Sequence, residues 1–306
     1  MSAHASGRVS PVTRRRPGTA VVLLAQVASL ALALFVVFVA APNHPFFAND
    51  SHAYWAVNID TMYANGLAPA RDAFLYTPPV GILADTFDAV GFDAFHGAWQ
   101  SIQTALLFGM AGPLAGPLAV TPLVGTELAV GNISLILAAA TVLGFRWPAA
   151  WAVILLTKLT PGVGLLWFVV RREWRQLGIA IGATAVIAAV SLVMAPGLWL
   201  EWLDLMRRSL QAPAPDTAAA IPFVLRFALA ALFVVLGALT DRPWTVPVAV
   251  MLGHAHLWSS VGTLLVACIP LAFAPAIALR PGSRRMRPPP ASMPAAGAPT
   301  ASAAAR

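Results

Sequence analysis

Charged residues are the scarcest class in this sequence. Asp, Glu, Lys and Arg make up 10% of its 306 residues, hydrophobic residues make up 59%, and the mean hydropathy is +0.76. A soluble globular domain carries roughly 25% charged residues, so this composition excludes that class. Backbone polar groups inside lipid must bond internally, which helices achieve. The sequence therefore predicts an all-α, polytopic transmembrane helical bundle.

Cysteine and lysine are almost absent, with one of each, Cys268 and Lys158. A single cysteine forms no internal disulfide, and its apolar surroundings favour a buried thiol. The pair His254 and His256 invites a metal interpretation. However, alternate residues of a helix lie on nearly opposite faces, and no cluster of acids or cysteines accompanies the pair. We expect no metal and no cofactor.

Acids are missing from both ends of the chain, where residues 1–18 and 280–306 carry nine arginines between them. Basic segments beside membrane spans favour the cytoplasmic side and anionic lipid headgroups, so we expect the lipid bilayer rather than nucleic acid as the partner. Their Pro-, Ala- and Ser-rich composition without apolar periodicity predicts two disordered cytoplasmic tails. Residues 19–279 between them form the predicted transmembrane domain.

The first apolar run, residues 19–41, has 23 positions without a charge, enough to cross roughly 30 Å of hydrocarbon. A cleaved signal peptide is the alternative, but the run is longer than a usual signal-peptide core and more spans follow. Further apolar segments predict about 8–10 membrane segments in all. The segments at 79–92 and 114–129 are short or interrupted by Gly and Pro, which predicts broken or re-entrant helices around a cavity.

A polar interruption at residues 43–77 follows the first span. Its Asp50 lies between aromatic-rich patches, and a carboxylate at the surface of so hydrophobic a protein is a candidate catalytic residue. The arginine cluster 171–175 favours the cytoplasmic side, which places the 43–77 loop outside. Other polar or aromatic residues of this loop are candidate ligand contacts: His52, Tyr54, Arg71 and Tyr76.

Lys158 stands in a long apolar run, about ten residues from either end. Inserting an ammonium there costs a few kcal/mol, so the side chain is expected to face a polar cavity or an anion such as phosphate. A side chain that reaches the membrane surface is the alternative. Asn132, near the start of another apolar helix, is either a helix cap or a cavity residue that faces a hydroxylated ligand.

These residues occur in a distinctive order. An Asp follows the first span with a Tyr four residues later, and then come Phe-x-Tyr-x-Pro-Pro at 74–79, Gly-Asn-x-Ser at 131–134 and Thr-Lys-Leu-Thr-Pro at 157–161. Over residues 19–279 this order resembles the polyprenyl-phosphate-mannose-dependent mannosyltransferases of glycosyltransferase family 87, which have the GT-C membrane fold. Asn132 stands where that family more often has Gln, and Thr77 interrupts the usual Tyr-Pro-Pro.

The resemblance implies a metal-independent, inverting hexosyltransferase of the plasma membrane, with its active site on the external face. Its donor would be a polyprenyl-phosphate-linked sugar, with mannose as the sugar that the family implies, and its acceptor a glycolipid or glycan. Asp50 would be the general base, and Lys158 or Arg71 would stabilise the leaving phosphate. Tyr54, Tyr76, Asn132 and His52 would contact donor or acceptor. A lipid-linked-sugar transporter or flippase and a non-catalytic membrane protein are the alternatives.

Overall fold

A computed structural model describes residues 19–66, 72–211 and 221–273 of the chain. The two tails expected at residues 1–18 and 280–306 lie outside the described residues, and so does Arg71. Regular structure in the described part is helical, without a strand. This confirms the predicted all-α class.

Helices α1 to α7 make up the first half of the fold. They span Thr19–Phe35, Asn49–Trp55, Pro78–Ala84, Phe92–Ala111, Ala115–Ala119, Pro122–Val130 and Ser134–Gly144. Helices α8 to α14 follow at Trp151–Thr157, Leu166–Val170, Trp174–Met194, Pro196–Gln211, Phe223–Leu239, Thr245–Leu252 and Cys268–Phe273. Short 3₁₀ segments join several of them, including Thr160–Leu165 and Ser259–Ala267.

Three helical stretches are long and apolar enough to cross a membrane: Thr19–Asn43, Phe92–Ala119 and Trp174–Met194. A fourth results if α6 and α7, which meet at an angle of 110°, form one bent span. Shorter apolar helices accompany them at Pro148–Thr157, Thr160–Val170, Phe223–Leu239 and Ser259–Phe273. The structure therefore confirms a helical membrane bundle with bent elements, whereas a total of 8–10 membrane segments stays a prediction.

The breaks occur where the sequence has proline or glycine. Between α5 and α6 the chain breaks at Thr121-Pro122, and the Thr121 side chain accepts a hydrogen bond from the Val124 N–H at 3.4 Å. The Gly116-Pro117 pair lies inside α5 instead, where the Gly116 N–H donates to Ser29 Oγ of α1 at 2.7 Å. A side chain at position 116 would meet the α1 backbone, so this glycine permits close packing of the two helices.

A buried arginine fixes the chain after α13. Arg226 of α12 is 4% exposed, and its guanidinium donates to the backbone oxygens of Leu252, His254 and Ala255 at 3.3, 2.8 and 2.9 Å. Carbonyl groups at a helix end have no intrahelical partner, and Arg226 supplies donors for them. The described helices thus meet in a packed interior, and α2, α4, α6, α7 and α8 bring together the polar residues considered next.

Candidate active site

Asp50 lies in the first turn of the short helix α2, at the surface of the bundle. The residue before this helix, Ala48, has a left-handed backbone (φ 56°), and its N–H donates to Ala129 O of α6 at 2.8 Å. This bond ties the start of α2 to the end of α6. An acid in the first turn also interacts favourably with the helix dipole. Asp50 is half-buried, so its carboxylate is both held and accessible.

Two amide groups hold the Asp50 carboxylate. Asn132 Nδ2 donates to Asp50 Oδ2, and Asn49 Nδ2 donates to Asp50 Oδ1 at 3.2 Å. Both partners are neutral, so they orient the carboxylate without neutralising its charge. An ionised carboxylate has about four acceptor sites. These two bonds leave room for a hydroxyl to donate to the same group.

Asn132 belongs to the hinge turn, residues 131–133, which joins α6 to α7 at the bend. Its Oδ1 accepts the Ile133 N–H at 2.7 Å and the Ser134 hydroxyl at 3.2 Å. One end of the amide therefore bonds to residues at the start of α7, while the other end donates to Asp50. The N-cap position of α7 has no side-chain cap bond, so the structure does not support the helix-cap interpretation, and contact of Asn132 with a hydroxylated ligand stays a prediction.

The bend frees carbonyl groups at the end of α6, and α4 satisfies them. Each donor is a polar side chain on α4: Trp99 Nε1 donates to Gly131 O at 2.8 Å, Gln100 Nε2 donates to Leu128 O, and Gln103 Nε2 donates to Asn132 O. Irregular backbone at membrane depth is tolerated where protein groups complete its hydrogen bonds. The position of the hinge turn is thus fixed from two sides, by α2 and by α4.

Gly131 is required at the hinge turn for two separate reasons. Its φ is +71°, and a side chain built on it would lie 2.7 Å from Ser51 Cβ. The left-handed backbone alone costs a non-glycine residue about 1–2 kcal/mol. We predict that Gly131→Ala destabilises the protein by more than this and also slows any Asp50-dependent reaction, because Ser51 adjoins Asp50.

Gly66→Ala is the matched control for Gly131→Ala. Gly66 has φ +57°, but nothing lies within 4 Å of the place that a Cβ would take, so it isolates the backbone cost. Thermal unfolding of the two variants in detergent measures the comparison. Equal losses of stability would show that crowding of the added methyl group against Ser51 contributes nothing to the destabilisation by Gly131→Ala.

Tyr54 and Tyr76 form a hydrogen-bonded pair beside Asp50. Their hydroxyl oxygens are 3.0 Å apart, and Tyr63 donates its hydroxyl to Tyr76 O at 2.8 Å. Tyr54 follows Asp50 by one helical turn and therefore lies on the same face of α2. Burial raises the pKa of both the Tyr54 and Tyr76 phenols above the ordinary value of 10. Both hydroxyls stay protonated at neutral pH, and because one of them donates to the other, one proton of the pair is available to a polar ligand.

Lys158 lies at a break between two helices rather than inside one. Helix α8 ends at Thr157, Lys158 is extended (φ −144°, ψ 105°), and a 3₁₀ segment starts at Thr160. The break leaves the Leu156 carbonyl without a helical partner. Thr77 supplies one, since its N–H and its hydroxyl reach Leu156 O at 3.2 and 2.5 Å. The end of the 43–77 loop is thus attached to the segment that carries Lys158.

The ammonium of Lys158 interacts electrostatically with the carboxylates of Glu127 and Asp50, without a direct ion pair to either among the described residues. The side chain is half-buried. The structure therefore brings Asp50, Tyr54, Tyr76, Asn132 and Lys158 into one region. A carboxylate, neutral hydroxyls and a nearby cation can together accept a proton and stabilise an anion.

His52 lies apart from this group. It is two residues from Asp50 on the short helix α2, which turns it toward another face. Its Nδ1 lies 2.6 Å from Asp72 Oδ1, and its ring packs against Phe92 with centroids 5.0 Å apart. The structure does not bring His52 together with Asp50, and Arg71 lies outside the described residues.

Sequence reasoning passed over two polar groups in this region. Glu127 is completely buried in α6, and Ser51 Oγ lies 2.9 Å from His96 Nδ1 of α4. A signal for Glu127 was present, because an acid within an apolar segment is a functional candidate by default. Among the described residues, no three His, Cys, Asp or Glu side chains are grouped as metal ligands.

Comparison with known protein families gives a match. The family model for glycosyltransferase family 87 matches residues 74–293, well over half of the chain. The chain belongs to glycosyltransferase family 87. This family 87 protein is accordingly a membrane glycosyltransferase, as the order of its motifs indicated. Searches of curated proteins and of solved structures found no significant match.

The family match covers part of the candidate site. Tyr76, Asn132 and Lys158 lie inside the matched range, whereas Asp50 and Tyr54 precede it. The family 87 assignment thus rests on residues that follow Asp50 and Tyr54 in the chain. The argument that Asp50 is the base rests on the contacts of its side chain. The hydrogen bond from Asn132 connects the two parts.

Proposed function

We propose that this family 87 protein transfers a hexosyl group, mannose in the first instance, from a polyprenyl-phosphate donor to a glycolipid or glycan acceptor with inversion. The observation that carries the proposal is the Asp50 carboxylate, which is accessible and oriented by two neutral amides. A general base needs a fixed position and a free lone pair at the proton that it removes. Asp50 has both.

In the proposed reaction, the acceptor hydroxyl gives its proton to the Asp50 carboxylate as its oxygen attacks the anomeric carbon. The bond from that carbon to the phosphate oxygen breaks on the opposite face, which inverts the configuration. The phosphate starts as a diester with one negative charge and leaves as polyprenyl phosphate with additional charge. It needs a cation nearby rather than a proton donor, and Lys158 is the candidate.

Other residues have proposed binding roles. The neutral hydroxyls of Tyr54 and Tyr76 would bond to sugar hydroxyls, and Asn132 would act on the acceptor mainly through Asp50. Arg71 stays a proposed phosphate contact. His52, which is paired with Asp72, is proposed only as a contact for a distal part of the acceptor.

The proposed location is the plasma membrane, with both termini cytoplasmic and Asp50 external. The domain limits proposed with it are 1–18 and 280–306 for the tails and 19–279 for the transmembrane part. Arg171, in the cluster expected at the cytoplasm, forms ion pairs with Glu173 and Asp241, which joins the ends of α9 and α12.

Cysteine accessibility at residues 60 and 172, placed one at a time in a Cys268→Ser background, tests this orientation in intact cells. Labelling of both sites from the same side would contradict it.

Transfer by the purified protein tests the proposed function. The protein in lipid nanodiscs is given radiolabelled polyprenyl-phosphate mannose and a crude glycolipid extract, and the products are separated by chromatography. We expect label in a new glycolipid. Movement of intact donor across proteoliposomes without a new glycosidic bond would instead favour a lipid-linked-sugar transporter, for which a deep cation beside bent helices is also expected.

A further inference from the structure

Glu127 is a carboxylate in the interior of the bundle, where an apolar residue would be less costly. It is 0% exposed and lies in α6, four residues before the hinge turn. Burial of a carboxylate requires compensating hydrogen bonds or charges. The contacts that compensate for the burial of Glu127 therefore indicate its role.

The contacts of Glu127 are concentrated on the bend. Its Oε1 accepts the Leu135 N–H at 3.1 Å, across the break and in the first turn of α7. Its main-chain oxygen accepts the N–H groups of Gly131 and Asn132 at 2.9 and 3.3 Å. One residue thereby bonds to both sides of the hinge turn.

The hinge turn is the part of the bend that contacts the candidate base. Asn132 reaches Asp50 only if the turn holds its side chain in the observed direction, with Oδ1 toward α7 and Nδ2 toward α2. A change in the angle between α6 and α7 would move the amide away from Asp50. The Leu135 bond to Glu127 opposes such a change directly.

We propose that Glu127 is a positioning residue: its side chain holds the 110° bend so that Asn132 orients the Asp50 carboxylate. The inference rests on the proposed function, because it assigns Glu127 to the base of that reaction. Glu127 acts through Asn132 and does not contact the acceptor. The hydrogen-bond acceptor oxygen at position 127 is what matters here, and its negative charge is not required.

Two substitutions separate the acceptor oxygen from the charge. Glu127→Gln retains a side-chain oxygen for the Leu135 N–H, and because the bond across the bend is kept, we expect kcat within about threefold of wild type. Glu127→Met retains the volume without the oxygen. We expect it to lower kcat by roughly 10²-fold, the order typical of a small misplacement of a catalytic group, with donor KM little changed. Leu128→Met, a neutral change in the same helix, is the control.

A double-mutant cycle tests whether Glu127 acts through Asn132. If it does, Glu127→Met should slow the Asn132→Ala variant by less than about twofold, because the amide it positions is already gone. Full multiplication of the two effects would overturn the proposal. A Glu127→Gln variant as slow as Glu127→Met would also overturn it. If Glu127→Met fails to fold, a Glu127→Gln variant far slower than wild type would overturn the proposal instead.

Thermal unfolding of the same variants gives a second readout that needs no substrate. We expect the shifts in unfolding midpoint for Glu127→Met and Asn132→Ala to be clearly non-additive, since both side chains bond to residues 133–135 at the start of α7. Additive shifts would overturn the proposal even if the wild type transfers no sugar. If the wild type is active but the midpoint shifts add and the two effects on kcat multiply, the proposed function stands and this role for Glu127 is rejected.

Discussion

Replacing Asp50 with Asn is expected to lower hexosyl transfer by about 10²–10⁴-fold, the usual contribution of a general base. Asn has nearly the same size, and its amide oxygen can still accept the bond from Asn132. What it loses is the ability to take the acceptor proton. The variant should therefore insert, fold and bind donor like wild type, and the loss should appear in kcat. Single-turnover transfer in nanodiscs with saturating donor measures it.

The matched control for this prediction is Asp60→Asn. Asp60 is an exposed acid of the same polar stretch, and no contact joins its side chain to Asn132 or Asp50 in the described part of the chain. Equal transfer by wild type and Asp60→Asn, with loss only in Asp50→Asn, would assign the base. Undiminished transfer by a correctly folded Asp50→Asn protein would remove Asp50 from the mechanism.

Local rules of sequence predicted several of the features that place Asp50. Proline and glycine marked the broken segments, and the polar interruption at residues 43–77 marked the stretch that carries Asp50. Each of these features depends on neighbours within a few residues of the chain.

Features that depend on distant segments were not predictable in the same way. Lys158 was expected in a long apolar run, and nothing in that run indicated that Thr77, 79 positions before Leu156, would bond to the freed Leu156 carbonyl. No periodicity in the sequence encodes such a pairing. The role proposed for Glu127 depends likewise on the 110° bend, which lies where α6 and α7 pack against α4 and the Ser259–Ala267 segment.

Replacing Lys158 with Met is expected to lower kcat by about 10²–10³-fold, the cost typical of removing one group that stabilises developing negative charge. Charge grows on the phosphate as the sugar leaves, so the ammonium acts more strongly on the transition state than on the bound donor. Donor KM should change less than kcat. Lys158→Arg retains the charge in a larger group and should recover part of the rate. Arg175→Met, at an exposed cation of the same chain, is the control and should match wild type.

A different role for Lys158 is balance of the buried Glu127 charge, since the two groups interact electrostatically. The Lys158→Met, Glu127→Gln double variant separates the two roles. If Lys158 only compensates Glu127, removing both charges together should restore transfer to near the Glu127→Gln level. If Lys158 stabilises the leaving phosphate, the double variant should stay as slow as Lys158→Met, because the phosphate still lacks its cation. We expect the second result, because the extended backbone at Lys158 lies in a break adjoining the 43–77 loop, where the lipid phosphate is proposed to bind.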